Sequence, residues 1–600
     1  MSTAPAIFDL EGFDLPEIVD HANETARAVA APRSLGAWRD LTGELKTPAG
    51  TMQLRPLQSR FLCEVMDHGR GGLGGIGVGH GKTLISFLVG TVLRASKTLV
   101  LTKAGVVSQT IRELARLRAH WQIGSVEVMS YNALSRPEQS AALSNLARIH
   151  GAGLVIVADE CHELAAPTSA RTKRVGRVLQ DFPGVRFVAM SGSLTDRSLW
   201  DYAHLAEWAL GEGSPLPRTS AQRYHSHVEA WAQCVDPRGR PGSSHWDTVW
   251  PLLERWGERV ECEHCDDVGC DQCAGTGDGR AQLTGEARQL YAQQALGARM
   301  SDCCGVVLSE ESSCEAPIEI RLIEPEIPAR VQRLMGMVAE GERPDGEVLP
   351  DDLSKARVRS TLTMGYYQRW EWPDGEPDDD WLKARRRWNA IVRKELEENA
   401  SDGYDSPFLV WAEVSRQVRA GRSGAEHAAW LQWEQQRGKP SPPTAAVWID
   451  AFWLRDIRRV LASLQGPTLV WYQSKPVETA LIALGLQCYG AGTRIPEDGR
   501  TSIGASIKVH GTGRNLQAWS RNLVLEPPAS GRMWEQLLGR THRAGQTAPV
   551  VTFQIYAHGA FGPVIESARR NAIYTQAVTK NAQKALLASW IAAPDRAERE

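Results

Sequence analysis

The chain has no run of about 18 uninterrupted apolar residues, which argues against a membrane-spanning helix. Its opening stretch, MSTAPAIFDLEGFDLPEIVD, is acidic and lacks the basic start and continuous apolar core of a signal peptide. Net charge is scarce as well. A balance of −3 over 600 residues excludes an obligate basic coat, though not a local basic cleft. Cysteine is sparse, with 11 in the whole chain, so a secreted disulfide scaffold does not fit. Internal repeats are missing apart from a generic similarity between two α/β regions. These absences leave a cytoplasmic globular protein as the expectation. Six hundred residues exceed one hydrophobic core, so two to four domains are expected, and 42% apolar with 23% charged residues can build and solvate them. Tryptophan is the exception to this scarcity, but the 21 indoles are dispersed and suggest no mechanism as a group.

What is present begins after a lead-in at 1–50, with short helical pieces around 19–31. Leu54-Arg55-Pro56-Leu57-Gln58 opens a helix toward Met66, a glycine-rich segment follows at 69–81, and 83–93 reads as a compact apolar helix. Short apolar runs at 98–102, 126–130, 154–158 and 186–191 alternate with helical stretches. That pattern predicts an α/β fold with a parallel sheet covered on both faces. Ligands of such sheets lie beyond the C-terminal strand ends, where Gly79–Thr83, Asp159 and Ser191 would fall. After about 215 the pattern becomes mainly helical, with a strand expected at 318–323, helices at 381–399 and 408–437, and a linker at 438–443. A second α/β unit is expected from 445, with strands at 468–472, 506–510, 522–525 and 550–556 and a largely helical tail at 562–595. The expected organisation is therefore a first lobe at 51–215, an insertion at 216–444, a second lobe at 445–575, and a helical tail at 576–600.

Ile76-Gly77-Val78-Gly79-His80-Gly81-Lys82-Thr83 reads as a phosphate-cradling loop. Glycine lets several backbone N–H groups face one phosphate, and the helix start adds positive potential. Lys82 would reach the β- and γ-phosphates, and Thr83 would offer its hydroxyl to Mg2+. The strict pattern asks for glycine where this chain has Ile76. Asp159 and Glu160 end the apolar run Leu154–Ala158, where acids are costly unless solvated or paired with cations. Asp159 suits Mg2+, and Glu160 suits the polarisation of an attacking water; His162 suits coupling better than metal ligation. Near the C-terminus, Arg540 and Arg543 are three apart in a predicted helix, flanked by Gln536, Gly539 and Gln546, and planar guanidiniums match a developing phosphate charge.

This combination resembles the superfamily 2 helicase-type ATPases, nearest the Swi/Snf-like and phage-encoded helicase branch. Gly79–Thr83 resembles motif I, Asp159-Glu160-Cys161-His162 a DEAH-type motif II with cysteine in third place, and Ser191-Gly192-Ser193 motif III. Ser130-Tyr131 is similar to the end of motif Ib. His510-Gly511-Thr512-Gly513-Arg514-Asn515-Leu516-Gln517 resembles motif V, and Gln536–Gln546 motif VI in its Gly-Arg-x-His-Arg-x-Gly-Gln form. Leu194 stands where the family has proline after motif III. The likeness covers about 51–215 and 445–575. It implies two RecA-like lobes, ATP hydrolysis stimulated by DNA, and translocation with duplex favoured over single strands. By the same likeness Lys82, Asp159, Glu160, Gln536, Arg540 and Arg543 are catalytic. Gln58 lies by the adenine, and Gly79, Gly81, Thr83 and Gly513 join Lys82 and Asp159 in holding the nucleotide. A phage-encoded member would work in the host cytoplasm.

Cys262-x2-Cys265-x4-Cys270-x2-Cys273 offers four soft sulfurs for a structural Zn2+, with His264, Cys303, Cys304 or Cys314 as substitutes in space. Acidic neighbours at Glu261, Glu263, Asp266, Asp267 and Asp271 disfavour phosphate contact, so a structural or protein-contacting role is expected. Lys103, Arg112, Arg171, Lys173, Arg174 and Arg177, and a second group at Arg385, Arg386, Arg387, Arg393 and Lys394, offer backbone phosphate contacts. An ordinary solvated helix face explains them equally well. Two other readings stand beside the translocase. One is the motor subunit of a restriction or remodelling complex, with a protein partner; the other is a nucleotide-gated switch without sustained turnover.

Overall fold

A computed structural model describes residues 38–591 except 168, 196, 220–224, 240–244, 261, 263, 266–269, 271–278, 373–374, 399–406, 440–441, 497 and 512–514. The protein is α/β and is organised around two parallel sheets. The first has six strands in the order β3-β2-β4-β5-β1-β6: β1 Gly72–Gly75, β2 Lys97–Thr102, β3 Val126–Ser130, β4 Leu154–Asp159, β5 Arg186–Ser191 and β6 Val306–Leu308. The second has seven, in the order β11-β12-β10-β13-β14-β7-β15. These are β7 Ile318–Ile323, β10 Thr468–Tyr472, β11 Gln487–Tyr489, β12 Ile503–Ser506, β13 Arg521–Val524, β14 Val551–Tyr556 and β15 Ser589–Ile591. An antiparallel pair, β8 Tyr366–Trp370 with β9 Thr444–Trp448, lies between β7 and β10 in sequence.

Successive side chains of a strand point to opposite faces, and both faces here are covered. In β4, Leu154, Ile156 and Ala158 join one core while Val155 and Val157 join the other. β10 repeats this, with Leu469 and Trp471 on one side and Val470 and Tyr472 on the other. Each such fully buried aliphatic contributes about 1.5–3 kcal/mol. β1 lies inside the glycine-rich segment, where no strand was expected. Its glycines are required by neighbours: a Cβ at Gly74 would lie 2.9 Å from Phe61, and one at Gly75 would lie 2.8 Å from Leu308.

The interval 216–444 is not a single insertion. Its first part packs on the first sheet, where Val228, Trp231, Val249, Leu253, Leu296 and Met300 extend that core. β6 then pairs with β1, and β7 pairs with β14, so the second sheet already begins at Ile318 rather than near 445. The strand expected at 506–510 is instead β12 followed by a short helix, Ile507–His510. The tail is not separate either, because β15 pairs with β7 at the edge of the second sheet. The helical pieces expected around 19–31 lie outside the described residues.

The dispersed tryptophans gather in space. Trp370, Trp372 and Trp433 meet Trp381 edge-on at 5.5, 5.8 and 5.7 Å, with the Arg385 guanidinium 5.2 Å from the Trp370 and Trp381 ring centres. Arg385 and Arg386 also face Glu347, at 2.9 and 3.6 Å, and Arg387 donates to Gln432 at 2.9 Å. Much of this arginine group is therefore engaged within the protein. No helix among the described residues is long and apolar enough to cross a membrane.

Candidate functional site

β1 ends at Gly75, and the chain turns through Ile76–Gly81 into the helix Lys82–Val92. Gly79 and Gly81 hold φ of 97° and 79°, and a Cβ at either would collide with Ser313 Oγ or Gln58 Nε2 respectively. The carbonyls of residues 78–81 accept from side chains that do not line the cleft. Ser313 Oγ donates to Val78 O at 2.9 Å, Arg55 Nη1 to Gly79 O at 2.5 Å, and Gln58 Nε2 to His80 O and Gly81 O, each at 3.2 Å. An anion facing the loop therefore meets little carbonyl repulsion. Gln58 is buried, and its Oε1 accepts from Arg55 N at 2.9 Å. Its amide supports the loop from behind, and it does not line the cleft.

Lys82 is buried, donates to Ile76 O at 3.1 Å, and lies 3.5 Å from Glu160 Oε1. At the end of β4 the two acids behave oppositely. Burial, then the neighbouring Glu160 charge, pushes Asp159 up to about 7, and its buried Oδ1 has no hydrogen-bond partner. Burial acts to raise Glu160 as well, but Lys82 and a hydrogen bond from His162 outweigh it and hold that carboxyl well below the usual range. Glu160 also takes a left-handed backbone, φ 59°, unusual for a non-glycine residue. His162 Nδ1 lies 2.9 Å from Ser191 Oγ and 3.3 Å from Glu160 Oε2. Burial first, and Arg532's charge second, bring His162 down to about 4, so the ring is neutral at pH 7. Ser191 Oγ donates to Ser193 O at 2.8 Å, which ties Glu160 through His162 to the Ser191-Gly192-Ser193 turn.

The second sheet supplies the opposite wall. Gln536, Arg540 and Arg543 line the same cleft as Gly79, Gly81, Lys82, Thr83, Asp159 and Glu160. Arg540 belongs to the helix Gly531–Thr541 and donates from Nε to Gln536 O at 2.8 Å. Arg543 lies beyond that helix, contrary to the helical spacing expected. The buried His542 leaves helical geometry and its Nε2 bonds Ala316 O at 2.7 Å. Burial, then Arg543's charge, brings Arg540 down to about 9; burial and then Arg55 lower Arg543. Positive charge thus concentrates in a low-dielectric cleft, which favours a polyanion. Asp159, with an unpartnered buried oxygen in the cleft that Thr83 also lines, fits a hard divalent cation.

Gly513 lies outside the described residues. Asn515, from the run that resembles motif V, lines the cleft, as do Gln109, Thr110 and Glu113, which nothing in the sequence singled out. Lys103 lines the cleft too, but with Arg171 it flanks Glu163, at 3.6 and 2.7 Å, and Arg174 donates to Leu134 O. Arg112, Lys173 and Arg177 are exposed.

Away from the cleft, the sulfurs of Cys262, Cys265 and Cys270 lie within 4.8 Å of one another and could hold a metal ion. Cys273 falls outside the described residues. Among the described residues, neither His264 nor Cys303, Cys304 or Cys314 joins that group. No family model matches the chain, and no curated protein matches it.

Proposed function

We propose that the protein is a DNA-dependent ATPase of the superfamily 2 helicase type that couples hydrolysis to movement along duplex DNA, its two sheet units acting as RecA-like lobes. The observation that carries this reading is the shared cleft: Lys82, Thr83, Asp159 and Glu160 from one sheet unit face Gln536, Arg540 and Arg543 from the other. A nucleoside triphosphate suits such a cleft because its charge needs cations from both walls. Lys82 binds phosphate oxygens, the loop N–H groups orient them, and Arg540 and Arg543 stabilise charge that grows during transfer. Glu160, kept ionised beside Lys82, accepts a hydrogen bond from the attacking water and aligns it. Thr83 and Asp159 would hold Mg2+, which when bound would neutralise phosphate charge. Hydrolysis needs both walls, so opening and closing of the two units is the step that would move DNA.

The three-thiol group we assign to Zn2+, with Cys273 as fourth ligand. Tetrahedral thiolates at about 2.3 Å from zinc stand about 3.8 Å apart, and Cys262 and Cys270 are separated by 3.8 Å. Its role in this reading is to fold the segment that carries it.

The test is steady-state phosphate release with no nucleic acid, single-stranded DNA, duplex DNA and RNA. Strong duplex stimulation, with triplex displacement and no strand separation, is expected. Negligible turnover in all four conditions would overturn the motor and favour a nucleotide-gated switch.

A further inference from the structure

The segment 575–584 runs behind the cleft and bonds to residues of both sheet units. The helix Phe561–Thr579 packs on Gly531–Thr541 of the second unit and on Gly285–Ser301, which covers the first sheet. Lys580 then takes a left-handed conformation, φ 51°, and turns the chain into Asn581, which is fully buried. The Asn581 side chain bonds at both ends. Its Oδ1 accepts from Ser309 Oγ at 2.5 Å and Ser309 N at 3.1 Å, and its Nδ2 donates to Gly192 O at 2.9 Å.

Both partners lead into the cleft. Ser309 Oγ accepts from Gly77 N at 2.8 Å, inside the glycine-rich loop. Gly192 is the centre of the Ser191-Gly192-Ser193 turn, whose Ser191 contacts His162 and through it Glu160. Three residues further on, Lys584 N donates to Glu535 Oε2 at 2.6 Å and its Nζ lies 3.2 Å from His542 Nδ1, between Arg540 and Arg543 in sequence.

We propose that Asn581 is a positioning residue for this cleft, with one arm setting the glycine-rich loop and the other setting the turn that orients Glu160. The proposal rests on the reading of residues 76–83 as a phosphate loop. A carboxamide is needed because one arm must accept and the other must donate, and both ends are buried, where a lost partner is costly. The two arms separate experimentally. Asn581→Asp keeps the acceptor facing Ser309 but replaces the donor facing Gly192 O with an oxygen. Ser309→Ala removes the bond to Gly77 N and leaves Gly192 held.

The experiment measures ATP affinity and steady-state hydrolysis for wild type, N581D, S309A and K82A, with thermal unfolding as the check on folding. N581D is expected to lower kcat about tenfold with affinity within about twofold, whereas S309A weakens ATP binding about fivefold with a smaller effect on kcat. Asn581→Gln, which keeps both functions on a longer stem, should recover part of the N581D loss. If K82A is inactive and N581D matches wild type in both parameters, the role of Asn581 is overturned while the phosphate loop stands. Losses in N581D and S309A that fall equally on both parameters and follow reduced thermal stability would make Asn581 a packing residue only. If K82A hydrolyses like wild type, the loop reading itself fails.

Discussion

Gly539 packs directly against Val78: a Cβ at position 539 would lie 2.8 Å from Val78 Cγ1 and 3.4 Å from Lys584 Cε. One residue belongs to the arginine-bearing helix of the second unit, the other to the glycine-rich loop of the first. Contact this close leaves no space for a larger residue without separating the two walls. Gly539→Val should therefore lower ATP turnover by at least about tenfold through displaced arginines, with nucleotide binding by the first wall largely kept. A fluorescent-nucleotide titration beside a phosphate-release assay checks this.

Lys82→Ala removes the cation that touches both the loop and Glu160, and turnover should be lost. Glu160→Gln should bind ATP and stall before hydrolysis, with turnover reduced by about two or more orders of magnitude. Rapid quench of a single turnover separates the two effects. Wild-type product formation in either variant would remove that residue's role.

The raised Asp159 carboxyl predicts a pH signature. A group whose folded value is about 7 holds its proton more tightly than the unfolded chain does. Its contribution to stability is full below about pH 4 and is lost as pH rises toward about 7. Cation binding needs the carboxylate. Affinity for Mg2+-nucleotide should therefore fall as pH drops below about 7, by up to about tenfold per unit, and level off above it. Calorimetric titration across pH 5.5–8 in wild type and Asp159→Asn reads this out, and a flat wild-type profile would contradict it.

Freshly purified protein should carry about one zinc per chain, and Cys265→Ser should release it and destabilise the helices packed around residues 225–301. Metal analysis with circular dichroism tests both parts; no zinc in the wild type would discard the thiolate site.

Local chemistry made much of the first wall legible in the sequence. Gly79, Gly81 and Lys82 announce a loop-to-helix turn, and Asp159 with Glu160 closes a continuous apolar run that matches burial on both faces. Long-range pairing was not legible. β6 has three residues, and although β7 is expected as a strand, only the partners β1 and β14 reveal which sheet each joins. Gln58 shows the same limit: the resemblance implies a place by the adenine, whereas its bonds to His80 O, Gly81 O and Arg55 N, which brace the loop, appear only in the fold. Asn581 and Ser309 lie 272 positions apart and carry no motif, so only the folded chain brings them together. The indoles likewise look scattered until helix packing collects Trp370, Trp372 and Trp433 around Trp381.

If two sheet units complete one hydrolytic site, an arginine of the second must be needed for turnover at the first. Steady-state ATP hydrolysis by Arg543→Ala, with duplex DNA present and nucleotide affinity measured in parallel, tests it most directly. Turnover reduced by about 10³ with binding retained is the expected result. Hydrolysis at the wild-type rate would contradict it.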